Sequence, residues 1–128
     1  MFFKRKSVIA LCACILLAQA CRRQIDSAPE LTLTHEVSPQ PPRAGPSTIT
    51  LKLADASGRP LTGVRMKLEG NMSHAGMTPV FADAKETAPG QYSSTMELTM
   101  AGDWYCVVHM TLPDGRNLER EFEIKGVK

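Results

Sequence analysis

From residue 30 onward the chain alternates apolar and polar residues in short runs broken by turn residues. That pattern restricts the fold more than any other feature of the sequence. A period of two sends alternate side chains to opposite faces of a strand, whereas a helix needs a period of 3.6, which no segment sustains. "ELTLTHEV" at 30–37 sets Leu31, Leu33 and His35 on one face. "STITLKLAD" at 47–55 aligns Ile49, Leu51 and Leu53, and "LTGVRMKLEG" at 61–70 aligns Val64, Met66 and Leu68. "QYSSTMELTM" at 91–100 turns Tyr92, Met96 and Leu98 inward. "GDWYCVVHMTL" at 102–112 sets Trp104, Cys106, Val108 and Met110 against Tyr105, Val107, His109 and Thr111. "NLEREFEI" at 117–124 opposes Leu118, Phe122 and Ile124 to Glu119, Glu121 and Glu123, with Arg120 interrupting the apolar set.

The punctuation between these runs is equally specific. "PQPPRAGP" at 39–46 carries four prolines, which remove backbone donors, so it reads as neither strand nor helix. "ASGRP" at 56–60 and "PDGR" at 113–116 read as turns, and 70–90 as a long loop with a brief strand at 80–82. About seven strands with turn signals every eight to twelve residues predict an all-β, immunoglobulin-like antiparallel β-sandwich over 30–128, with Trp104 in its core. Cysteines placed for the inter-sheet disulfide of antibody domains are missing from the pattern.

Residues 1–20 stand apart. Lys4, Arg5 and Lys6 precede the apolar run "SVIALCACILLAQA", which ends in small side chains. A run of about ten apolar residues is too short to span a bilayer and reads as a cleaved secretory signal peptide. Ala18 and Ala20 suit cleavage before Cys21, and a cysteine there points to lipoprotein processing, although Leu17 lies four residues before it where the pattern favours three. Lipidation would anchor the protein by burying acyl chains; plain secretion would leave Cys21 a terminal thiol. Residues 21–29 read as a polar tether. The expected location is therefore the cell envelope or periplasm, on a membrane.

Removing the signal changes the electrostatics. The whole chain has 15 basic and 13 acidic residues, a net charge of +2. Lys4, Arg5 and Lys6 leave with the signal, so the mature chain carries a net charge of about −1, and nothing basic enough to bind nucleic acid remains. Cys12 and Cys14 leave as well. Cys106 then has only Cys21 as a possible partner, and a lipidated Cys21 would leave no intramolecular disulfide.

Few residues offer catalytic chemistry. Cys106 and His109 are three apart on a predicted strand, hence on opposite faces, and cannot form a dyad. Glu119, Glu121 and Glu123 read as a solvated face or a blunted edge. The chain is expected not to be an enzyme. "GNMSHAGMTPV" at 70–80 is different, because Met72, His74 and Met77 bring two thioethers and an imidazole within six residues, between glycines that let the backbone turn. Thioethers select Cu(I), and imidazole serves Cu(I) and Cu(II). Met100, beside a turn, and His109 are the further candidate ligands. Methionine also fills irregular gaps, so Met72 and Met77 as caps of the sandwich is the competing reading.

With these residues in view, the domain resembles the YtkA-like family of small exported bacterial proteins and lipoproteins, and is reminiscent of the periplasmic part of FixH-type proteins. The resemblance runs through "PPRAGPSTITLKLADASGRPLTGVRMKLEGNMSHAGM", "APGQYSSTMELTMAGDWYCVVHM" and "DGR", with Met100-Ala101-Gly102-Asp103-Trp104 its most specific element. It implies an immunoglobulin-like sandwich and an accessory or binding role, with relatives tied to copper handling or oxidase assembly. The family's loop often reads Met-Pro-x-Met followed by His and Gly; here Met72, His74 and Met77 come in another order, without the proline. Two functions are expected on this basis. One is a membrane-anchored module that binds copper through Met72, His74 and Met77 and hands it to a partner. The other is a metal-independent interaction module of an envelope assembly.

Overall fold

The computed structural model describes residues 30–74 and 76–128. The signal peptide at 1–20, the tether at 21–29 and the lipidation site Cys21 lie outside the described residues. Seven strands follow one another: β1 (Thr32–Ser38), β2 (Gly45–Ala54), β3 (Arg65–Met72), β4 (Val80–Ala88), β5 (Gln91–Leu98), β6 (Gly102–Thr111) and β7 (Asn117–Val127). They are hydrogen-bonded in the order β1-β2-β5-β4-β3-β6-β7, each antiparallel to its neighbours. This is the all-β, immunoglobulin-like sandwich that the alternation predicts. The sheet folds over so that β1, β2 and β5 face β3, β6 and β7, with β4 linking the two layers.

The inward faces are those read from the sequence. Ile49, Leu51, Leu53, Leu68, Met96, Leu98, Cys106, Val108 and Met110 are fully buried, and Trp104 nearly so. Burial of each such side chain contributes about 1.5–3 kcal/mol relative to exposure. Tyr92 is also buried, and its hydroxyl has partners: it donates to the Leu61 carbonyl at 2.8 Å and accepts from the Val64 amide at 3.1 Å. One core side chain thereby fixes the β2–β3 connection.

Two local expectations need correction. The segment 70–90 is not a long loop with a brief strand: β4 runs nine residues, because β3 on one side and β5 on the other take up its backbone groups. Its side chains are mostly exposed or half-buried, with only Val80, Ala82 and Ala84 packed against the core. A strand that buries so little has a weak apolar alternation. Also, β2 begins at Gly45 and includes Pro46, two residues before the predicted start. Proline is tolerated at the beginning of a strand, where its fixed φ suits extended backbone.

Strand direction fixes the two ends of the sandwich. The β1–β2 loop (39–44), the β3–β4 loop (73–79), the β5–β6 turn (99–101) and the C-terminus lie at one end. The chain enters β1 at the opposite end, beside the β2–β3 connection and the β4–β5 and β6–β7 turns.

Candidate functional site at the methionine end

The candidate ligands reach the first of these ends by different routes. β3 continues through Gly70 and Asn71 to Met72, which pairs with Trp104 of β6. Met72 keeps the inward parity of Met66 and Leu68 and is 5% exposed, so its thioether belongs to the core. Its methyl group lies against Gly102: a Cβ built there would sit 2.8 Å from Met72 Cε. Gly102 also has φ +131°, a conformation that favours glycine, and the missing side chain lets the β5–β6 turn close over Met72. Gly70 makes similar room, since a Cβ there would meet Met96 Sδ at 2.7 Å and Trp104 Cε3 at 3.5 Å. Met72, Met96 and Trp104 thus form a packed floor beneath the loops.

The residues above that floor are more open. His74 is exposed, and Met77 is half-buried against the core. Met100 stands in the β5–β6 turn with 48% exposure, and its carbonyl accepts a hydrogen bond from Trp104 Nε1 at 2.9 Å. The buried indole therefore holds the turn that presents the Met100 thioether. Topology brings His74, Met77 and Met100 to the same end from two adjacent connections, with Met72 behind them.

His109 does not join this end. It lies five residues beyond Trp104 on β6, about 17 Å along a strand, and on the outward face. There Nε2 is 2.8 Å from Glu69 Oε2 and Nδ1 is 3.0 Å from Glu119 Oε1. A neutral imidazole has one N–H and cannot donate to both carboxylates, so the arrangement favours the imidazolium. The hydrogen bond that the His109 ring donates to Glu69, reinforced by the one to Glu119, raises the His109 pKa. In turn His109, helped by Asn71, lowers that of Glu69. This staple across β3, β6 and β7 was missed by sequence reasoning, because pairing Glu69 and Glu119 with His109 needs the strand register, which alternation alone does not supply. Cys106, on the opposite face of β6, is fully buried, and desolvation pushes its thiol up to about 12.

Among the described residues no group of three or more His, Cys, Asp or Glu side chains is arranged to hold a metal ion. A metal at the methionine end would therefore rest on thioethers and the single imidazole of His74. That donor set is soft, suits Cu(I), and is a poor match for the hard cations that prefer oxygen.

The sequence model described as YtkA-like matches residues 30–109. No curated protein matches the sequence. Among solved structures, MtrC from Shewanella baltica OS185 is 15% identical, covering 77% of this chain and 22% of its own, with a TM-score of 0.51. The chain thus spans about a fifth of that protein, and the likeness is one of fold. The soluble domain of PmoD from Methylocystis sp. ATCC 49242 (Rockwell) is 13% identical over 77% of this chain and 91% of its own, with a TM-score of 0.48. Murine CRIg is 16% identical over 76% and 98%, with a TM-score of 0.43.

Proposed function

The chain belongs to the YtkA-like family, and from that premise we propose that it is an exported accessory domain, not an enzyme, that binds copper at the methionine end of its sandwich and passes it to a partner in the cell envelope. The anchor would be an acylated Cys21. The observation that carries the reading is the convergence of His74, Met77 and the exposed Met100 at one end. These residues would hold the ion, and copper would supply no bond chemistry beyond exchange between soft ligands. Met72 would support the site from below.

The burial of Met72 and the packing of Met77 favour a second reading. In it the loop methionines serve packing, and the same end is a metal-independent contact surface for an envelope protein. Sandwich domains commonly use end loops in this way.

A Cu(I) titration in competition with a chromophoric chelator separates the two. The triple variant His74→Ala/Met77→Ala/Met100→Ala is expected to lose at least tenfold in affinity. Met72→Leu keeps an apolar side chain of similar volume in the core and is expected to bind nearly as well as the parent. Equal, weak binding by the parent and the triple variant would leave the contact-surface reading standing and remove copper.

A further inference from the structure

β1 and β7 are the two ends of the strand order, and their directions are the same. The seam between them is bridged at two places, with a cleft of about 390 Å³ lined by Glu36, Val37, Glu123 and Lys125 between the bridges. At the methionine end the Ala44 amide donates to the Lys128 carbonyl at 2.7 Å, and the Lys128 amide to the Pro42 carbonyl at 3.0 Å. Midway the ring of His35 stacks on Phe122, centroids 4.1 Å apart. Beyond that stack, toward the end where the chain enters β1, the seam opens into a cleft of about 460 Å³.

The walls of this cleft are unusual in chemistry. Leu31, Leu33 and Phe122 give it an apolar side, and His35 closes its inner end. Into it comes Arg120, at the inward register of β7 opposite the fully buried Val108. Arg120 is half-buried, and its Nη1 donates to the carbonyl of Glu119 at 2.9 Å. Among the described residues it makes no salt bridge, although the exposed Glu121 also lines the cleft. A guanidinium has five N–H donors in a planar fork suited to a carboxylate, and one backbone acceptor uses only part of it. On both sides of the cleft the strand edges carry main-chain groups that no neighbouring strand takes up.

We propose that this cleft captures the C-terminal end of an extended peptide, with the terminal carboxylate on Arg120 and the last apolar side chain against Leu31, Leu33 and Phe122. A peptide entering C-terminus first runs parallel to both β1 and β7 and can exchange main-chain hydrogen bonds with either edge, the mode of strand addition. The site is at the opposite end of the sandwich from the methionines and does not depend on copper. An inward charge on an edge strand also deters self-pairing; that role alone needs positive charge but no carboxylate ligand.

The test uses the purified, isotope-labelled full chain and the probe N-acetyl-Val-Thr-Val-Val, as the free acid and as the C-terminal amide. Saturable amide shifts confined to residues 31–35 and 118–122 are expected with the acid, and binding about tenfold weaker with the amide, as for loss of one charge-assisted hydrogen bond. Arg120→Gln should abolish the preference for the acid, and Arg120→Lys should keep part of it. The proposal is overturned by the absence of saturable shifts at millimolar peptide, by equal binding of acid and amide, or by an unchanged preference in Arg120→Gln. Preferential binding of dodecanoate at the same residues would overturn the peptide assignment in favour of a lipid-type carboxylate.

Discussion

The staple formed by His109 makes stability depend on pH in a way that one substitution can isolate. The folded pKa of His109 is raised above its ordinary 6.5, first by Glu69 and then by Glu119. Its contribution is therefore complete below about pH 6.5 and is lost as the pH rises through the folded value. Glu69 works in the other direction: its pKa is lowered from 4.5, so its share is present above that value and disappears in acid. The staple is strongest between these limits, from roughly pH 5 to 6.5. Its size is set by exposure. The side chain of Glu69 is 25% exposed, that of His109 36% and that of Glu119 68%. Partly solvated pairs of this kind contribute about 0.2–1 kcal/mol each, with the shorter, less exposed Glu69 contact at the upper end, so the total is about 1 kcal/mol. For a domain near 100 residues that corresponds to a fall of roughly 4–6 °C in Tm between pH 6 and pH 8.5. The control is His109→Gln, whose melting temperature should lose that component of its slope over the same interval. Parallel Tm–pH curves for the parent and His109→Gln would refute the assignment, as would a parent that is more stable at pH 8.5 than at pH 6.

Three other outcomes follow from the packing. Tyr92→Phe leaves the Val64 amide without its side-chain acceptor and the Leu61 carbonyl without its donor, so chemical denaturation should show a loss of about 1–3 kcal/mol with an unchanged m-value. Gly90→Ala should be more damaging than an ordinary turn substitution. Its φ is +71°, and an added Cβ would approach Pro60 Cβ to 2.7 Å and the Leu53 carbonyl oxygen to 2.8 Å; a Tm drop smaller than that of Gly115→Ala, whose Cβ would meet open space, would contradict this. Cys106, buried and with its thiol pushed up to about 12, should resist iodoacetamide in the native protein at pH 8 and react on unfolding.

Parity explains both what the sequence made readable and where it stopped. Within a strand the rule of two is strict, so Ile49, Leu51, Leu53, Trp104, Cys106 and Val108 could be placed inward before any contact was known. β4 escaped because a strand shared between two layers has little to bury, and "VFADAKETA" offers only Val80, Ala82 and Ala84 as an inward set. The staple escaped for a different reason. Lys67 stands directly opposite His109 in β3, and Glu69 reaches it diagonally, while Glu119 is its direct partner in β7. Those relations belong to register, which turns and tertiary packing set together.

The methionine end shows how much depends on where a strand stops. Met66, Leu68, Gly70 and Met72 share one parity, and the series holds because β3 runs to Met72. Gly70, with no side chain to count, masks the continuation in the sequence. In β5 the series Tyr92, Ser94, Met96 and Leu98 predicts an inward Met100 by the same arithmetic, yet β5 ends at Leu98 and Met100 turns out into solvent. Met72, in the suggestive loop motif, packs in the core, as the capping reading has it, and Met100, which parity alone would bury, is exposed beside its turn. A soft-metal site at this end would therefore draw its accessible thioethers from residues that alternation does not govern, Met77 and Met100. The strand-borne methionines Met72 and Met96 set the floor that holds the two connections together.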